Sequence, residues 1–165
     1  MRLMKGIGLI VMAAAALAAP LDAIERRPLP AFVVTPPGGG DAIDAQSLAA
    51  PEGRTWLLIY VGERCRTCDA LLSHLDRDER PQAPRITIVV GGAKPAALAA
   101  LAAKYPNLSA ARWFADADGS AARALRLDPL PVTLGVRGRM IEWGLTGVLK
   151  APSELESVLF TWLEK

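Results

Sequence analysis

The chain has 165 residues, of which 52% are hydrophobic and only 5% aromatic, with 19 Lys and Arg against 17 Asp and Glu. That length suits one ordinary domain plus a targeting segment, and the composition excludes disorder and repeat arrays. The near-even charge leaves no basic patch for nucleic acid.

At the N-terminus, Arg2 and Lys5 precede an apolar stretch from Gly6 to Ala16, and Ala16-Leu17-Ala18 has the small-x-small pattern of a signal-peptidase site. Residues 1–19 therefore read as a signal peptide for export to the bacterial periplasm. The apolar run is shorter than the roughly 20 residues that span a bilayer, so the mature protein is expected to have no stable membrane span. An uncleaved leader would instead anchor it to the membrane. Loss of Arg2 and Lys5 leaves 17 basic residues against 17 acidic ones, so the mature chain is formally neutral.

Residues 20–50 are rich in Pro and Gly and read as an extension that packs on the domain at 51–165. Ala31-Phe32-Val33-Val34 could form a short strand there, and Asp41 to Leu48 a loop or irregular edge. Trp56 to Val61 is an unbroken apolar run, the pattern of a strand buried on both faces. Next comes Gly62-Glu63-Arg64-Cys65-Arg66-Thr67-Cys68, which holds the only two cysteines. Cys68, Leu71, Leu72 and Leu75 recur at helical spacing, so both cysteines fall on the first turn of a helix and share a face. A disulfide can close between them with little backbone movement.

Position separates their chemistry. Cys65, at the helix start, meets unpaired N–H groups and the positive end of the helix dipole, which favour a thiolate. It is the expected nucleophile. Cys68, one turn in on the apolar face, is the expected resolving thiol. Arg64 and Arg66 could lower the Cys65 pKa further, against Glu63, or be ordinary solvated arginines. The pair itself has three readings: redox catalysis, half of a metal site, or an inactive structural link. Closing so short a loop stabilises little, which favours a reactive role in an exported protein. Zinc wants four ligands, whereas the chain offers two Cys and one His, and His74 is rotated well away from the sulfurs toward expected solvent. No metal site is expected.

The later elements follow in order: a buried strand at Arg85 to Val90, a helix opened by Pro95 and stopped by Pro106, and a strand at Ala111 to Ala115. The turn Asp116-Ala117-Asp118-Gly119 leads into a short helix at Ser120 to Leu125. Pro131 precedes a strand at Val132 to Val136, Arg137-Gly138 makes a tight turn, and Arg139 to Leu145 returns as a hairpin. The last helix carries an apolar stripe of Leu155, Val158, Leu159, Trp162 and Leu163, with Ser153 and Glu156 as a capping box. Trp113, Trp143 and Trp162 are expected in the core or its rim.

Strands alternating with helices, closed by a hairpin and a helix, describe an α/β domain with a mixed central sheet flanked by helices on both faces. With C-x-x-C opening the helix after an early buried strand, the chain from about Ala31 onward resembles the thioredoxin-like proteins, more narrowly the exported TlpA/ResA-like thiol-disulfide oxidoreductases. Leu130-Pro131-Val132-Thr133 is similar to that family's cis-proline loop, and Gly144-Leu145-Thr146-Gly147 to the end of its hairpin. The resemblance implies a cis bond before Pro131, with the Leu130 backbone presented to client peptides. It also implies exchange with client protein thiols and disulfides through Cys65 and Cys68, no dissociable cofactor, and a redox partner that resets the pair. The alternative is a non-catalytic thioredoxin-like module that binds a metal or a protein partner. The family usually has an aromatic residue before the first cysteine and often a proline between the two, where this chain has Arg64, Arg66 and Thr67. The buried acid many members carry beneath the active site is not evident in Trp56 to Val61.

Overall fold

The computed structural model of the protein describes residues 26–148 and 152–165. The expected signal peptide and its cleavage site lie outside them. In chain order the elements are β1 (Arg27–Pro28), β2 (Val33–Val34), β3 (Ile43–Asp44), α1 (Ala45–Leu48), β4 (Thr55–Gly62), α2 (Arg66–Leu75) and β5 (Ile86–Gly91). They continue with α3 (Pro95–Ala102), β6 (Arg112–Asp116), α4 (Ser120–Leu125), β7 (Val132–Arg137), β8 (Met140–Thr146) and α5 (Pro152–Leu163).

The main sheet runs β1-β8-β7-β4-β5-β6, and a separate pair joins β2 to β3. β4 lies parallel to β5, β5 parallel to β6, and β4 antiparallel to β7, so the sheet is mixed. β4 is central, and Thr55 through Val61 are all buried. Alternate side chains of a strand point to opposite faces, and here both faces are covered, which is why the apolar run shows no polar alternation. Leu57, Ile59 and Val61 meet the core under α2, α3 and α5. Trp56, Leu58 and Tyr60 meet a second core closed by α4, α1 and the N-terminal segment through Leu29, Phe32 and Val34.

The structure differs from the sequence reading in four places. Asp41 to Leu48 is neither loop nor irregular edge. It holds β3 and α1, whose first turn is capped by the Asp44 carboxylate accepting from the Ser47 N–H at 2.9 Å. The hairpin turns at Gly138-Arg139, with Gly138 at φ 55°, because Arg137 still pairs with Met140. Val158 is 44% exposed and off the stripe, whereas Leu155, Leu159 and Leu163 are fully buried. His74 is 7% exposed and not solvated. Its side of α2 is covered by α5, where Nε2 lies 3.3 Å from Glu156 Oε1. Glu156 also pairs with Arg80 at 3.1 Å, and Arg80 sits over the Phe160 ring. The Ser153 half of the expected capping box lies outside the described side chains.

Candidate active site

β4 delivers the chain to the cysteines. Its last residue, Gly62, is where a Cβ would stand 3.2 Å from Leu130 Cδ1 and 3.4 Å from Cys65 Cβ. A bare Cα there lets the cysteine turn and the Leu130 loop approach each other. Leu71 and Leu72 are buried under α2, each worth about 1.5–3 kcal/mol of apolar burial, and they fix the helix on the sheet.

Cys65 is the N-cap of α2, with φ −115° and ψ 106°, and its sulfur accepts from the Cys68 N–H at 3.2 Å. A capping position normally filled by a side-chain oxygen is thus filled by sulfur. A disulfide joins Cys65 to Cys68, whose Cα atoms are 5.1 Å apart. The two cysteines differ in access: Cys65 is half-buried, and Cys68 is 1% exposed, with its Sγ accepting from the Gly62 N–H at 3.4 Å. The Leu130–Pro131 bond is cis, as expected, and so is Asp128–Pro129. The Pro131 carbonyl accepts from Gly147 N–H at 2.7 Å, tying the loop to the end of the hairpin.

Of the residues singled out from sequence, Cys65, Cys68 and Leu130 pack together at one end of the sheet, with Pro131 next in the chain. Arg64 and Arg66 flank Cys65 as exposed side chains, and among the described residues no hydrogen bond or ion pair joins either to a sulfur. Arg64 and Glu63 instead line a shallow cavity of about 300 Å³ against the Ala97 and Leu101 face of α3, with Lys104 at its rim. Thr67, seen in the sequence only as a departure from proline, does reach the sulfur. Its Oγ1 lies 3.3 Å from Cys65 Sγ and 3.5 Å from the Leu130 carbonyl.

A buried acid that the sequence reading did not identify is Asp116, 1% exposed at the end of β6. It accepts from Tyr60 Oη at 2.7 Å and from the Ala121 and Ala122 N–H groups at the start of α4. Tyr60 points into the second core and Cys68 into the first, so this pair lies across the sheet from the disulfide. Burial, reinforced by the Asp116 bond and charge, holds the Tyr60 phenol well above its ordinary value. The available signal was the Asp116-Ala117-Asp118-Gly119 turn, which reads as a solvated loop until the helix after it is docked.

No protein-family model and no curated protein matches the sequence. Solved structures do. A secreted Mycobacterium tuberculosis disulfide oxidoreductase homologous to E. coli DsbE aligns at 20% identity and TM-score 0.62, over 79% of this chain and 95% of that one. The exposed lipoprotein thioredoxin Etrx1 of Streptococcus pneumoniae aligns at 15% identity and TM-score 0.54, over 79% and 98%. Peroxiredoxin 5 of Alvinella pompejana aligns at 16% identity and TM-score 0.64, over 84% and 97%.

Proposed function

The chain has an α/β thioredoxin-like fold, and from that premise we propose that it is an exported thiol-disulfide oxidoreductase acting on client proteins through Cys65 and Cys68. One observation carries the reading: the disulfide caps a helix with Cys65 half-exposed and Cys68 buried, beside the Leu130 loop. Such a pair exchanges rather than staples. Two of the similar structures are of proteins described as a disulfide oxidoreductase and a thioredoxin.

In the reducing direction the Cys65 thiolate attacks a client disulfide. A Cys65–client bond forms, and the other client sulfur leaves as thiolate. The Cys68 thiolate then attacks Cys65, closing the Cys65–Cys68 bond and releasing the second client thiolate. Two electrons pass to the client, and a periplasmic redox partner must supply two more to reduce the Cys65–Cys68 bond again. The opposite direction runs the same steps backward. Leu130 and Pro131 present backbone to an extended client, while Arg64 and Arg66 add positive potential beside the thiolate. No dissociable cofactor takes part.

Purified protein should reduce insulin disulfides with a thiol reductant as electron source, and Cys65→Ser should abolish turnover. Stoichiometric capture of a metal or a protein partner without turnover would replace the enzyme by a binding module.

A further inference from the structure

Thr67 has one hydroxyl proton and two acceptors, and they belong to the two halves of the site. Because the Cys65 sulfur is in a disulfide, it has no proton to give, so the contact at 3.3 Å can be donated only by Thr67. The second contact, at 3.5 Å to the Leu130 carbonyl, is long for an O–H···O bond. A disulfide sulfur is itself a weak acceptor. The exposed Thr67 side chain is therefore committed to neither partner.

Resting on the oxidoreductase reading, we propose that the Thr67 hydroxyl couples the redox state of Cys65 to client docking at Leu130. When Cys65 becomes a thiolate, its charge outcompetes the neutral carbonyl, since charge-assisted hydrogen bonds are roughly twice as strong as neutral ones. The hydroxyl turns to the sulfur, joining the Cys68 N–H that already points there at 3.2 Å. Two consequences follow together. The thiolate is stabilised, and the Leu130 carbonyl keeps both lone pairs for the N–H groups of an extended client backbone. In the disulfide form the uncommitted hydroxyl is free to turn to that carbonyl and take one of its two lone pairs from an incoming client N–H. Thr67 is thus a positioning residue that favours client binding to the reduced protein. It forms no covalent bond and transfers no proton.

The thiolate half is tested by ultraviolet titration of Cys65 in a Cys68→Ala background. Thr67→Val keeps the β-branched shape and removes the hydroxyl, and it should raise the Cys65 pKa by about one pH unit, the size of one hydrogen bond to a charged group. Thr67→Ser restores the donor and should return the curve toward that of the parent. Superimposable curves for parent and Thr67→Val would overturn this half. The carbonyl half is tested with the insulin B chain carrying serine in place of its cysteines, which can dock but not react. It should bind reduced protein more tightly than oxidised protein, and Thr67→Val should remove the difference. No preference in the parent protein, including no binding to either form, would overturn the coupling. Neither measurement needs turnover. A Thr67-dependent titration in a protein that fails to reduce insulin would support the hydroxyl contact and sink the enzyme reading, while insulin turnover with a Thr67-independent titration would do the reverse.

Discussion

At the scale of single residues, the two cysteines have the same chemistry and different surroundings. Cys68 is 1% exposed against Leu71, Leu72 and Leu75, and Cys65 caps the helix at its open end. Cys68→Ser should therefore accumulate mixed disulfides in cells, seen as reducible bands on non-reducing gels, and Cys65→Ser almost none. Equal trapping by both would end the assignment of roles. Arg64→Glu with Arg66→Glu should raise the Cys65 pKa, because both side chains are exposed beside it in sequence. Tyr60 supplies a pH dependence of a different kind. Its phenol is held above the ordinary value near 10.0 by burial first and by Asp116 second. The folded state thus binds that proton more tightly than the unfolded chain does. Stability is undiminished below the unfolded value and falls as pH rises above about 10. Tyr60→Phe should flatten that alkaline fall in urea melts, leaving the smaller part due to Tyr105, whose phenol is also raised by burial and by Asp69. At neutral pH the same variant should lose about 1–3 kcal/mol, because buried Asp116 loses a donor. Both cysteines and the cis-proline were readable from spacing and resemblance. Asp116 and Thr67 were not, because what each does depends on partners 56 and 63 residues away in the chain.

At the scale of elements, legibility followed the number of faces buried. β4, buried on both, shows as an unbroken apolar run, and α4 between its turn and Leu125 was readable to the residue. The segment with β3 and α1 was missed, because a four-residue helix has no periodicity to detect and rests on the Asp44 cap and two buried side chains, Ala45 and Leu48. His74 was misplaced for a related reason: rotation about α2 locates a side chain relative to the cysteines and says nothing of α5 arriving over it. The β7–β8 hairpin carries a sharper test. A Cβ at Gly135 would run into the Trp143 indole, which packs edge-on against Trp162 on α5. Gly135→Ala should cost about 1–3 kcal/mol in denaturant melts through overpacking. Adding Trp143→Leu should recover part of it, a non-additivity that unrelated damage would not produce.

At the scale of the whole molecule, stability lies in two cores separated by the sheet and in contacts that cross it, not in the disulfide. Arg85, at the head of β5, donates to the Thr55 carbonyl on β4 and to the Leu163 carbonyl at the end of α5, so one guanidinium fastens strand to helix. The disulfide closes a loop with a sequence separation of only 3, and by loop entropy its reduction should cost no more than about 2 kcal/mol. Thermal melts with and without reductant should differ by only a few degrees, and a collapse on reduction would show that the pair is structural after all. The mixed sheet between two layers was readable from the order of elements. The enlistment of residues 27–28 as a sixth strand was not, since two residues carry no pattern. That strand also fixes where the described chain enters. β1 pairs with β8 beside the hairpin turn, α5 ends against Arg85, and both lie where β4 begins, with the cysteines beyond its far end. Eight residues of strand separate the two poles, roughly 26 Å. A bead, a tether or a second protein attached at Arg26 or at Lys165, the outermost described residues, would therefore hold the molecule by its back, with the disulfide turned outward to whatever passes.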